Sequence, residues 1–133
     1  MGTTFAADVV VEPLGGGRYA AEVSERWNLR PLPQGGVITA FALKAMADAL
    51  GDPAQSLRTM HTTFAGQVAH GPLEIEVEVL RRGRSASQLR AEVRNVGAER
   101  GHLTIAAFGS SRRGFDLTEL APPEVPAPGD CPS

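Results

Sequence analysis

The stretch Arg26–Leu50, "RWNLRPLPQGGVITAFALKAMADAL", decides the architecture. A tryptophan, two prolines and a glycine pair lead into a long apolar run, and residues 36–50 read as a helix. Gly51 and Pro53 stand where a helix stops. After the glycines its only polar side chains are Thr39, Lys44 and Asp48, and the last two share a face at i, i+4. A helix this apolar must be covered on most sides. Alanines at 40, 42, 45, 47 and 49 would let covering strands approach closely.

The flanking sequence supplies those strands. "FAADVVVE" (Phe5–Glu12) is rich in β-branched residues, "GGG" (Gly15–Gly17) marks a turn, and "RYAAEVSE" (Arg18–Glu25) returns. Beyond the helix, "LRTMHTTFA" (Leu57–Ala65) opens an unbroken β pattern. "LEIEVEVLRR" (Leu73–Arg82) alternates cleanly: Leu73, Ile75, Val77 and Val79 on one face, Glu74, Glu76 and Glu78 on the other. "RRGRS" turns the chain, and "SQLRAEVRNV" comes back with Gln88, Arg90, Glu92 and Arg94 on its polar face. "HLTIAAFGSS" (His102–Ser111) is the last strand. The order is β-β-α-β-β-β-β. Strands do not alternate with helices, so a doubly wound parallel sheet is excluded. An α+β domain fits, with an antiparallel sheet of five to six strands around one central helix. It occupies residues 1–114, and the proline-rich tail 115–133 is expected to be extended or disordered.

At 133 residues the chain is large enough for one domain. A net charge of −2 gives no electrostatic case for nucleic acid. No run of apolar residues is long enough to span a membrane, and "MGTTFAADVVVE" lacks the basic and apolar regions of a secretory signal. The lone Cys131 excludes an intramolecular disulfide or zinc cluster. The expectation is a soluble, cytoplasmic, metal-free domain. No G-x-S-x-G elbow is present, and "GGGRYA" lacks the lysine and hydroxyl of a P-loop.

Together, "W…PQGGVITAFALKAM" and "LRTMHTTFAGQVAHGPLEIEVEVLRRGRSAS" resemble the N-terminal hotdog domain of type II acyl-CoA thioesterase-like proteins. The resemblance runs from Trp27 to about Phe108. Its most specific parts are Gly35-Gly36, then Phe64 with Gly71-Pro72, and Arg81–Ser85. It implies the hotdog fold, acyl-CoA or another acyl thioester as substrate, and coenzyme A only as part of that substrate. It also implies pairing, as a homodimer or larger homo-oligomer or with a second hotdog half.

Two readings of Gly35 and Gly36 stay open. Unpaired N–H groups at a helix start carry partial positive charge, and glycine lets a thioester carbonyl approach them. Alternatively, the pair only permits a tight loop after Pro33. In the first reading Gln34 orients a water or the carbonyl, and His61 or Thr63, on one face of their strand, serves as base or holds a water. Trp27 is a lid over the helix start or an interface residue, and the acyl chain lies along the helix past Val37 and Phe41. Arg82 and Arg84, with Ser85, grip coenzyme A phosphates at an exposed rim. His70 and His102 have no argument beyond surface placement.

One element is missing. Many single-hotdog thioesterases carry an Asp or Glu about eight residues after the first glycine, and here that position is Leu43, followed by Lys44. Asp48 lies too far along and reads as a solvent-facing or helix-end residue. In type II enzymes the catalytic Asp, Ser/Thr and Gln belong to the second hotdog. The alternatives are therefore a non-catalytic acyl-binding or assembly domain, and, third, an enoyl-thioester hydratase or dehydratase. The last needs an acid/base pair that the helix lacks.

Overall fold

Around the apolar run the chain builds one antiparallel sheet. The computed structural model describes residues 4–131. Its elements are α1 (Phe5–Asp8), β1 (Val11–Gly15), β2 (Arg18–Val23), a 3-10 turn at Glu25–Trp27, and α2 (Gly35–Leu50). Then follow β3 (Ser56–Phe64), β4 (Gly71–Arg81), β5 (Ala86–Asn95) and β6 (His102–Gly109). The strands lie in the order β1-β2-β4-β5-β6-β3. The strand after the helix therefore crosses to the far edge, and β4 returns to pair with β2.

Helix α2 ends where Gly51 takes the left-handed conformation (φ 60°) and its N–H reaches the Ala47 carbonyl at 3.0 Å. Its buried face, Val37, Ile38, Phe41, Ala42, Ala45, Met46 and Leu50, packs on β4, β5 and β6 and touches β1 and β2. Facing it are Leu73 and Ile75 of β4, Leu89, Ala91 and Val93 of β5, and Ala106 and Phe108 of β6. Ala42 and Ala45 are fully enclosed, as close strand approach requires. One side stays open, along Gly36, Lys44, Ala47 and Asp48.

The outer face carries the charge pattern. Glu74 pairs with Arg94 and Glu78 with Arg90 across β4 and β5. Arg94 Nε and Nη2 donate to Glu74 and Glu76 at 3.1 and 2.7 Å, and Arg90 reaches Glu78 at 2.8 Å. Exposed pairs of this kind contribute a few tenths of a kcal/mol each, roughly.

The reading of Phe5–Glu12 as a strand is corrected: residues 5–8 form a helical turn, and the strand begins at Val11. The Asp8 carboxylate pairs with Arg26 and accepts the Trp27 Nε1–H at 3.2 Å, while the Phe5 ring meets Trp27 edge-on at 5.4 Å. Both contacts need Phe5 and Asp8 on one side. A helical turn puts i and i+3 together, whereas a strand sends them to opposite faces. The other strand expectations match within a few residues. Residues 111–127 lie exposed with no regular structure.

Asp48, exposed on α2, accepts a 3.0 Å hydrogen bond from the buried Tyr19 hydroxyl of β2, tying helix to sheet. Burial, reinforced by the bond to Asp48 and its charge, pushes the Tyr19 phenol up to about 12. The raised value favours the neutral phenol. Its contribution is complete below the unfolded value of about 10 and is lost as pH rises toward 12. Tyr19→Phe should cost about 1 kcal/mol in urea unfolding at neutral pH. The same substitution should remove part of the stability loss that the parent shows between pH 10 and 12; an unchanged midpoint would refute this role.

Candidate active site at the start of the central helix

The base of α2 is held from below. Gln34 donates its N–H to the Trp27 carbonyl at 3.1 Å, and Asn28 bridges to Pro33, which closes the loop that enters the helix. Gln34 makes no side-chain cap. Its carbonyl accepts Val37 N–H at 3.0 Å and Ile38 N–H at 3.4 Å, while Gly35 and Gly36 N–H have no partner among the described residues. Gly36 is exposed, and a Cβ built on it would meet nothing within 4 Å. The helix start thus offers two bare amide donors with open space above one of them, where partial positive charge collects.

Gly35 is different. A Cβ there would come within 2.8 Å of Phe64 Cζ, so the missing side chain makes room for that ring. Phe64, 62% exposed at the end of β3, in turn meets the His102 ring edge-on at 4.5 Å. His102 sits directly across from Phe64 on β6 and is only 7% exposed. Its Nδ1 has no hydrogen-bond partner, and desolvation lowers its pKa below the usual histidine range. A hollow of 360 Å³ opens beside it, lined by Leu32, Pro33, Phe64, Gln67 and Val68 among others.

One turn along, a chain of hydroxyls joins helix to edge. Thr39 Oγ1 donates to Thr62 Oγ1 at 3.3 Å, and Thr62 and Thr104 hydroxyls lie 2.9 Å apart. Thr62 therefore faces α2. Alternation sends His61 and Thr63 to the opposite face, where Thr63 Oγ1 lies 3.5 Å from His61 Nε2. Within this chain His61 and Thr63 share a face, as expected, but that face turns away from the helix start.

The remaining candidates scatter. Val37 and Phe41 are buried in the core and present no surface to an acyl chain. Trp27 is partly buried, with its indole tied to Asp8 and Phe5 rather than spread over the glycines. Arg82 forks onto the Leu50 and Ala49 carbonyls at 2.6 and 3.2 Å and caps the far end of α2. Arg84 is exposed, and Ser85 meets Arg112 and Ser110 at that same end, roughly 20 Å or more from Gly35 by helix rise. Among the described residues no three His, Cys, Asp or Glu side chains gather in a way that could hold a metal ion.

The family description "Acyl-CoA thioesterase N-terminal domain" matches residues 23–110. The chain belongs to that family. No curated protein sequence matches it. Among solved structures it is similar to acyl-CoA thioesterase II TesB2 from Mycobacterium marinum (25% identity, TM-score 0.75, covering 97% of this chain and 47% of that one). The tesB protein of Mycobacterium avium subs paratuberculosis matches at 22% identity and TM-score 0.76, over 94% of this chain and 48% of that one. A hot dog fold protein of unknown function from Alicyclobacillus acidocaldarius matches at 24% and 0.76, over 99% and 49%. The chain spans about half the length of these proteins, and its sheet around one helix is the hotdog fold.

Among the described residues no carboxylate stands on α2 near its start. Leu43 is half-buried, Lys44 is exposed, and Asp48 is engaged by Tyr19 about 20 Å from Gly35. Three residues at this corner escape the sequence reading: Thr62, Phe64 as a side chain against Gly35, and His102. The assignment of His102 to the surface is corrected. Its strand alternates inward through Thr104, Ala106 and Phe108, and that parity carries His102 inward too.

Proposed function

We propose that this domain binds acyl-CoA, or a related acyl thioester, and supports its hydrolysis in the cytoplasm. The observation that carries this reading is the bare Gly35–Gly36 amide pair, with open space at Gly36. A thioester carbonyl seated there gains donors for the oxyanion that develops as water attacks, an effect worth ~3 kcal/mol per donor. Family membership supports the substrate class.

Pairing of two hotdogs is part of the proposal. Among the described residues β3 hydrogen-bonds as a strand only to β6, so its other edge carries no strand. Leu57, Met60 and Phe64 stand exposed on it, a combination that favours strand addition. Arg58, bonded to the Gly109 carbonyl and Ser111, lies roughly 20 Å along β3 from Phe64. Two β3 strands paired antiparallel about Met60 would bring one copy's arginine end, with Arg58 and Arg84, beside the other's glycines. Coenzyme A phosphates could then be gripped while the thioester lies at the helix start. A chain that sediments as a monomer removes this part.

The test is thiol release from a panel of acyl-CoAs by the isolated chain. Turnover is expected, and Arg84→Ala should raise KM for acyl-CoA about ten-fold, the loss of one charge-assisted contact. The same variant should leave KM unchanged for an acyl-pantetheine that lacks the nucleotide phosphates. Leu43 in the carboxylate position supports a second reading, a binding half without chemistry. Binding of intact acyl-CoA with no turnover would establish it. Neither binding nor turnover would refute both.

A further inference from the structure

We propose that His102 is the catalytic base of this site, taking a proton from the water that attacks the thioester at the start of α2. The inference rests on the thioester reading above and supplies the group that the helix lacks. Three observations converge on it. A buried imidazole nitrogen without a partner is costly, and Nδ1 of His102 is such an atom. The ring lines a hollow whose wall includes Leu32 and Pro33, the residues leading into the bare amides. Phe64 links the two: its ring meets His102 edge-on and fills the space a Cβ on Gly35 would need, and it is mostly exposed, so it can swing out without opening the core.

The unpartnered atom also sets the tautomer. A buried N–H without an acceptor is rarer than an under-satisfied acceptor. We therefore place the imidazole proton on Nε2 and the lone pair on Nδ1, which is closed off from solvent in this structure and would meet the water once Phe64 swings out. In the reaction water oxygen bonds to the thioester carbon while its proton passes to Nδ1. The C–S bond then breaks, its electron pair stays on sulfur, and the imidazolium returns the proton to give the free thiol. The carboxylic acid loses its proton to solvent.

Among the described residues no charge nearby competes for that role. Phe64 of β3, Val93 of β5, Val68 and the segment 65–67, and Leu32 and Pro33 present no titratable group to the ring. Arg100 is exposed, and Arg94 is held on the outer sheet face by Glu74 and Glu76. Desolvation alone acts on His102, so its neutral, basic form persists to lower pH than in a free histidine.

His102→Asn and His102→Gln are compared with the parent for acyl-CoA hydrolysis from about pH 5 to 9. The imidazole resonances of the parent are followed during titration with an S-alkyl-CoA thioether, which cannot be hydrolysed. Turnover should fall at least 100-fold in both variants. The parent's acid limb, with a midpoint below about 6.5, should vanish with it, and added imidazole should restore part of the rate. In the parent, the His102 signals should shift as the thioether saturates. Variants that keep the parental rate, or lose it while keeping the parental pH profile, overturn the assignment and leave the thioester reading intact. Unmoved His102 signals at saturation overturn it as well, whatever the variants' folding. A parent that neither binds the thioether nor turns over substrate overturns the thioester reading, and this assignment with it.

Discussion

Gly36→Ala should melt no lower than the parent chain while its acyl-CoA turnover falls about 100-fold. The two halves of this result have separate causes. Gly36 has no left-handed backbone to protect, and a methyl on it meets no neighbour within 4 Å. Alanine in a helix is favoured over glycine by up to about 1 kcal/mol, so stability holds or rises. The methyl would, however, stand over the only bare amides at the helix start and keep a carbonyl oxygen from reaching them. Gly35→Ala is the useful contrast. Its methyl would strike the Phe64 ring at 2.8–2.9 Å, so stability and turnover should both change. If the glycines served only to shape the entering loop, Gly36→Ala would spare the rate. Full activity in a well-folded Gly36→Ala chain would end the oxyanion reading.

Phe41→Ala should remove about 3–5 kcal/mol of stability, on the order of 10–20 °C in melting temperature. The ring is 1% exposed and lies on the buried face of α2, which packs on β4, β5 and β6. The sequence expectation placed Phe41 along an acyl channel, and the two pictures predict different results. A channel residue exchanged for alanine would widen the acyl chain-length preference at little cost in stability. A core residue would leave the preference unchanged and destabilise the chain. Urea unfolding together with a chain-length series separates them, and a loss under 1 kcal/mol would favour the channel.

The fold was legible because two periodicities are unmixed. Leu73–Val79 alternates without a break, Glu74 and Arg94 do face each other, and the nearly uncharged run before Gly51 admits only a covered helix. Phe5–Asp8 misled because a β-branched composition says nothing about the distant Arg26 and Trp27, whose contacts select the helical turn. The helix start was legible as a motif, since unpaired amides follow from chain geometry alone. Its surroundings were not. Strand parity correctly grouped His61 with Thr63, but it could not say which face meets the helix, because β3 lies at an edge that α2 barely reaches. Phe64 and His102 meet only through the pairing of β3 with β6, which lies outside any local pattern.

That pairing has a consequence for synthesis. β3 is complete once residue 64 has been made, yet its only neighbour in the sheet begins at His102. At 5–20 residues per second the nascent strand waits roughly 2–8 s for a ladder to join. Throughout that interval Phe64 has no His102 to rest on, and the corner holding the bare amides is unfinished. The corner at the start of α2 therefore stays open until β6 begins to emerge, and a chain terminated before residue 102 would lack both the partner of β3 and the ring that lines the hollow.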